Sequence, residues 1–510
     1  MFMFYVAKVL FNATYRNGQN CPSHRQFCKV LLYLNMQRIY MLLMAMLLAL
    51  PEINAGTQSK YHFGLTLLPS GVVSDKVDVD ARIGIVNESN IVQSYRIDVV
   101  LNGRSHDVFH GTVSLSPGDN TMIRCSIKAG VVRIGRNSVR ATLVPICSKY
   151  GGANEIGKKS VVVKDFEVVE KEDRSTRLIE GAWAGLYHWS EQEGKHWNQD
   201  IAKLTDNQWA QEVRSMHKIG MDFVVVQEVF RNQAYVGSFN DNGSGSNGLD
   251  CRNYAGKAFF PSKIYPGRMP ISAKDPLEAI LSQADKDNMD VMLGVGMFAW
   301  FDFGEASLEW HENVAKELWE RYGGHPSFYG FYVSEECCGN LFNSETTQNG
   351  RQIKKNEIVT FFKKFRKYVS TFAPEKPIML ATNSMGIMDG ADTYPELLSN
   401  LDILCPFGFA RMPEGDLTGK QAADTLQKWC DAAGTHLWFD LEAFKFNSDM
   451  SLSPRPIEEI TEDLNLFGNF EKVLCYQFPG VFNDPSNPFR VGEESSVQLF
   501  KSYLQYYNKE

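Results

Sequence analysis

After Arg177 the chain alternates strand-like apolar runs with amphipathic helical segments up to its C-terminus, and this alternation restricts the fold more than any other feature. The runs are "LIEGAWAGLYHW", "DFVVVQEVF", "DVMLGVGMFAW", "FYGFYVSEE", "PIMLATNS", "LDILCPFGF", "HLWFDLEAF" and "KVLCYQFPG". The segments between them include "DNQWAQEVRSMHKIG", "SLEWHENVAKELWERYG" and "GKQAADTLQKWCDAAG", in which apolar residues recur at helical spacing. Eight such units over residues 177–510 predict a (β/α)8 TIM barrel with insertions. A doubly wound sheet would carry a Gly-rich phosphate loop after its first strand, and none stands there.

Ahead of the barrel, residues 56–170 read differently. Short Val- and Ile-rich stretches such as "VDVDARIGIV", "SYRIDVVLNG" and "SVRATLVPI" are separated by Gly, Asn, Asp and Ser. That texture predicts an antiparallel β sandwich of immunoglobulin-like type, followed by the charged linker "EVVEKEDRSTR". The chain is thus expected to be multidomain, with the sandwich as a structural companion to the barrel. Residues 1–55 are set apart as a leader: "MQRIYMLLMAMLLALPEINA" has a basic Arg38, an apolar core from Ile39 to Leu50 and a small residue, Ala55. This is the form of a secretory signal peptide, and its apolar core is shorter than the ~20 residues a spanning helix needs. An exported protein, periplasmic or extracellular, is expected, with translation starting at Met36.

The formal net charge is −8. The leader carries Lys8, Arg16, Arg25, Lys29 and Arg38 against Glu52, so the remainder of the chain is more acidic still. Such a surface repels nucleic acid and anionic lipid. Beyond the leader the cysteines are Cys125, Cys147, Cys251, Cys337, Cys338, Cys405, Cys430 and Cys475, without CxxC or His-rich spacing for zinc. An exported chain can oxidise some of them, and Cys125 with Cys147, both in one small β domain, is the first pair to test, although sequence does not give the connectivity.

A TIM barrel places its chemistry at the C-terminal ends of its strands, so acids that finish a strand are informative. On the fourth strand, two-residue alternation puts Phe331 and Val333 on the helix side and Tyr332, Ser334 and Glu336 on the inner side, with Glu335 pointing aside. On the seventh, Leu437, Phe439 and Leu441 form an apolar face, leaving Trp438, Asp440 and Glu442 inward. Two carboxylates facing each other across a barrel mouth are what glycoside cleavage needs: one protonates the departing oxygen, the other attacks or activates water. A single acid in such a place more often only accepts a hydrogen bond from Arg or Lys. The candidate catalytic set is Glu336 and Glu442, with Glu335 and Asp440 as rivals.

The remaining strand ends are aromatic, and flat rings beside polar groups suit pyranose faces. Candidate substrate contacts are Trp183, Tyr187, His188 and Trp189 on the first strand, Trp300 on the third, Tyr332, Trp438, and Tyr476 with Gln477 on the eighth; half of these are expected to be core. Glu228 beside Gln227, and Asn383, add groups for sugar hydroxyls. The phrase "YGGHPSFYGFYVSEE", with a barrel behind an N-terminal sandwich in an exported chain, resembles a family of uncharacterised bacterial TIM-barrel proteins classed among glycoside hydrolases. In layout it is similar to the clan of retaining glycosidases with acids at strands four and seven. The resemblance implies Glu336 as acid/base and Glu442 as nucleophile, a retaining mechanism, and an oligo- or polysaccharide substrate. It departs in having Glu335 where the clan usually has Asn, and in offering Asp440 near the nucleophile. The loop "NDNGSGSNGLD" lacks calcium-ligand spacing, and Cys337 and Cys338 lack a histidine partner. Neither metal nor cofactor is expected. The rival reading is a barrel that binds glycan without cleaving it.

Overall fold

In the nine strands from Tyr61 to Val169, alternation and turn chemistry decide which side chains meet. β1 (Tyr61–Leu68), β3 (Val79–Asn87) and β6 (Asn120–Ile127) form a three-stranded antiparallel sheet, with Tyr61 opposite Asn87 and Val79 opposite Ile127. The second sheet runs β2 (Gly71–Ser74), β9 (Ser160–Val169), β7 (Gly135–Cys147), β4 (Gln93–Leu101), β5 (His106–Leu115), with β8 (Asn154–Glu155) beside β7. Its pairs are antiparallel except β2 with β9. Along β4 every second residue is buried, so Tyr95, Ile97, Val99 and Leu101 pack with Ile83 and Ile85 of β3 in one shared core. The computed structural model describes residues 60–103, 106–147, 154–155, 158–232, 256–265, 267–296 and 301–509. The leader, Trp300 and the loop 240–250 lie outside the described residues.

From Gly181 onward the chain builds a nearly closed parallel barrel of nine strands. In chain order these are β10 (Gly181–Ala184), β11 (Phe223–Val226), β14 (Asp290–Gly294), β15 (Phe328–Cys337), β16 (Ile378–Thr382), β17 (Ile403–Leu404), β18 (His436–Leu437), β19 (Phe439–Glu442) and β22 (Val473–Tyr476). Two short hairpins, β12 (Phe230–Asn232) with β13 (Gly256–Ala258) and β20 (Phe444–Phe446) with β21 (Leu452–Pro454), extend strand ends. The two end members of the barrel sheet, β18 and β19, are consecutive pieces of one run separated by Trp438. That run bonds to β17 through Trp438 N–H to Leu404 and to the β22 side through Phe439 N–H to Lys472.

The helices return the chain to the start of each strand, and their ends are written in the sequence. Thr205 with Gln208, and Thr418 with Gln421, form capping boxes at the helices Asp206–Lys218 and Gly419–Ala433. Gly434, at φ 72°, ends the second of these in a left-handed turn that a side chain would strain. The barrel interior is filled by Trp183, Phe223, Val225, Met292, Tyr332, Met379, Trp438 and Leu474. Phe331, Val333, Leu437, Phe439 and Leu441 instead face the helical layer, as the alternation predicts.

The N-terminal sheets and the barrel belong to one compact unit, Ser59–Glu510. A cleft of about 510 Å³ lies between them, lined by His62, Lys164, Asp222, Asp290 and Lys376. These residues border the beginnings of the barrel strands, so the cleft is at the opposite end from the strand-terminal acids. Cys125 is a free, buried thiol of β6, and burial pushes it up to about 11. Since Cys125 is free, the candidate pair with Cys147, the last residue of β7 in the other sheet, is not bridged.

Candidate active site

β15 carries its acids in an irregular stretch. Val333 is in register with Leu380 and Cys337 with Thr382, so Ser334, Glu335 and Glu336 stand against Ala381 alone. A bulge of this kind bends the strand and re-aims side chains beside a site. Glu335 is buried within it. Burial pushes the Glu336 carboxyl up to about 7; the charge of Arg411 opposes that rise and the charge of Glu442 adds to it.

Glu442 ends β19 opposite Tyr476 of β22. Both of its oxygens are engaged by one guanidinium: Arg411 Nε donates at 2.9 Å and 3.2 Å, and a terminal nitrogen of Arg411 approaches within 2.8 Å. Arg411 closes a short helical turn, Phe409–Arg411, in the loop after β17. Asp440, one pleat deeper on the same strand, is buried, and burial together with the charges of Glu442 and Glu336 raises it well above the usual carboxylate range. The mouth therefore holds unlike acids: Glu336 in a desolvated place that favours its proton, and Glu442 compensated by a guanidinium.

The first strand's loop supplies the adjoining wall. His188 is buried, which pulls its imidazole down to about 3 and keeps it neutral. The ring stacks on the half-buried Trp189 at 5.8 Å and meets Tyr476 edge-on at 6.0 Å. Tyr187 donates its hydroxyl to Glu191. Glu193, in the turn Glu193–His196, lies 3.5 Å from His188 Nε2. Burial and the charge of Glu336 push Glu193 up to about 8, with Arg411 opposing.

Of the aromatic and polar candidates, Tyr187, His188, Trp189 and Tyr476 gather with the acids in this way. Trp183, Tyr332 and Trp438 are almost fully buried and pack beneath them as barrel filling, Trp183 edge-on to Tyr332 at 5.9 Å and Trp438 edge-on to Phe223 at 5.2 Å. Gln477 is buried with its amide donating to Pro479 carbonyl at 3.0 Å. A Cβ on Gly185 would come within 2.2 Å of Gln477 Oε1, so the Gln477 amide packs directly over that glycine. Glu228 is buried in a salt bridge with Arg231, which also donates to Tyr187 carbonyl at 2.7 Å. Asn383 follows β16 with Oδ1 accepting from Met385 N–H at 2.9 Å. Sequence reasoning missed Glu193 and Arg411, which come from loops with no periodicity; a charged residue shortly after a strand-end run was the only signal for either. Among the described residues no group of three or more His, Cys, Asp or Glu is placed to hold a metal ion.

Solved structures similar to this chain include one described as a "putative alpha-L-fucosidase" from Bacteroides thetaiotaomicron VPI-5482, with TM-score 0.47 and 14% identity over 67% of this chain and 97% of that one. A β-galacturonidase from Eisenbergiella tayi, bound to glycerol, gives 0.37 and 11% over 88% of this chain and 71% of that one. β-Glucuronidase 2 of Bacteroides uniformis gives 0.40 and 10%, with 88% of this chain covering 50% of that one. At such scores these likenesses carry no weight for function. No curated protein matches. Residues 179–488 match the domain of unknown function DUF4434, and the chain belongs to that family.

Proposed function

We propose that the protein is a glycoside hydrolase in which Glu336 is the general acid/base and Glu442 the nucleophile. The observation that supports this most directly is the unlike electrostatics of two acids ending the β15 and β19 strands and close enough for the charge of one to raise the other. Glu442 attacks the anomeric carbon, and the glycosidic C–O bond breaks as Glu336 passes its proton to the departing oxygen. Ionised Glu336 then takes a proton from the water that displaces Glu442, which retains the anomeric configuration. Arg411 compensates the Glu442 charge before attack. Asp440, deeper and favouring its proton, is a poor nucleophile, and Glu335 is held inside the bulge. Trp189, Tyr187 and Tyr476 form the ring-binding wall.

Turnover of a panel of aryl glycosides and plant or host polysaccharides tests this reading. Glu336→Gln and Glu442→Gln should each lower kcat by at least ~100-fold, the range general acid–base groups contribute; intact turnover in either variant sinks the assignment. The Arg411 fork over both oxygens of Glu442 favours the second reading, a barrel that binds glycan without cleaving it, in which the panel shows binding and no turnover.

The finer architecture is part of the same proposal: the β18–β19 run counts as one strand of a (β/α)8 barrel, and the N-terminal sheets form an immunoglobulin-like sandwich. Export with removal of residues 1–55 is proposed from the sequence. Among the described residues no helix is long and apolar enough to cross a membrane. Mass determination of the mature N-terminus tests the cleavage.

A further inference from the structure

Glu193 has no part in the two-acid scheme, yet its placement is tightly specified. Its backbone N–H donates to Ser190 Oγ at 3.2 Å, and Gly194 N–H donates to Ser190 carbonyl at 2.9 Å. A Cβ on Gly194 would lie 2.6 Å from the Asn198 side chain, so the turn is packed without slack. On its outer side the turn is clamped by Lys195 to Asp449 at 2.7 Å, His196 to Ser451 at 3.1 Å and His196 to Glu493 at 3.1 Å. The Asp449 and Ser451 contacts belong to the segment leaving Glu442.

Within the mouth, His188 Nδ1 stands 3.1 Å from both the Ser190 N–H and the Ser190 carbonyl oxygen, which holds the ring with Nε2 toward Glu193. His188 in turn touches Tyr476, the register partner of Glu442. The charged and titratable groups that face Glu193 are therefore His188 from its own loop, Glu336 from β15 and Arg411 from the loop after β17, with Tyr476 of β22 behind His188. A buried carboxyl in a turn held this firmly, within reach of the charges of Glu336 and Arg411, has a task that the core does not explain.

We propose that Glu193 is a substrate-binding residue of the same site, donating a hydrogen bond as a neutral acid to a hydroxyl of the sugar held between Glu336 and Glu442. This rests on the glycosidase reading for the position of the sugar. Burial and the nearby Glu336 charge keep the Glu193 proton in place up to about pH 8. A hydroxyl bound this way loses its donor as the group ionises.

The experiment measures affinity for a panel of 4-nitrophenyl 1-thioglycosides by calorimetry, in the full chain, with wild type, Glu193→Gln and Glu193→Ala. For the best probe, wild-type Kd should rise about tenfold between about pH 7 and about pH 9 as Glu193 ionises. Glu193→Gln, which keeps a donor that cannot ionise, should bind with a flat profile, and Glu193→Ala should bind at least ~10-fold more weakly at about pH 7. A Glu193→Gln profile as steep as wild type, or wild-type affinity in Glu193→Ala, overturns the inference. Should Glu193→Ala fold poorly, the Gln slope decides alone. Binding with the predicted slope in a protein that cleaves no O-glycoside leaves Glu193 standing and removes the hydrolase reading; cleavage without the slope does the reverse, and no binding of any probe removes both.

Discussion

Glu336 is kept in a place that costs stability at the pH where its proton is useful. Its carboxyl is raised from 4.5 to about 7, so the folded state binds the proton more tightly than the unfolded chain. By linkage, the contribution is fully present below about pH 4.5 and is lost as pH rises through about 7. Glu336→Gln should therefore be more stable than wild type at about pH 8, by on the order of 2 kcal/mol, and lose that advantage near pH 4. Urea titrations at both pH values check this; equal gains at both would mean that packing rather than charge is responsible. Under the proposed assignment the same group also sets activity, since a general acid must be protonated, and kcat/KM should fall as pH rises through about 7. These two strand-end acids were legible in the sequence because each terminates a run whose apolar face is unambiguous. Glu193 and Arg411 were not, because side chains in loops follow no period, and only the folded barrel brings residues 193, 336, 411 and 442 to one mouth.

Between elements, the chain controls the mouth through close backbone approach. β14 and β11 pair in register from Asp290 with Phe223 to Leu293 with Val226, and the chain beyond β11 passes directly over Gly294. A Cβ at Gly294 would come within 2.0 Å of the Gln227 carbonyl oxygen. Gly294→Ala should accordingly cost ~1–3 kcal/mol and shift the segment leading to Glu228; a thermal melt within a degree of wild type would show that the strands have room there. The bulge in β15 belongs to the same scale. Simple alternation places Glu336 inward and Glu335 aside, but it cannot foresee three residues standing against Ala381, a feature that depends on the neighbouring strand. The aromatic runs show a similar limit. Trp183, Trp438 and Tyr332 have the composition of a sugar platform, and their depth in the barrel, which makes them core, depends on strand tilt and length rather than on residue type.

Across the whole molecule, the N-terminal sheets are held to the barrel by buried charge. Arg82 of β3 pairs with Asp402 at 2.5 Å and donates to Glu375 carbonyl at 3.1 Å, while His62 of β1 lies 3.0 Å from the Glu375 carboxylate. Lys472 reaches Asp222 at 2.8 Å and Ser70 carbonyl at 3.0 Å. His436, opening β18, sits between Glu471 at 2.5 Å and Asp80 of β3 at 2.9 Å, with Arg124 pairing with the same Asp80. None of these partners is visible from sequence, since nearly every pair joins positions far apart along the chain. Burial opposes the His436 charge, but Glu471 and Asp80 outweigh it and raise the imidazole from 6.5 to about 9. A histidine raised in this way contributes stability that is complete below about pH 6.5 and disappears as pH climbs through about 9, where Asp80 and Glu471 lose the charge between them. Wild type should lose on the order of 2 kcal/mol over that interval, and His436→Gln, already weaker at neutral pH, should show a much flatter profile. Urea unfolding at closely spaced pH values reads this directly. A His436→Gln curve parallel to wild type would assign the alkaline loss to other groups and leave the seam held by the Arg82 and Lys472 contacts.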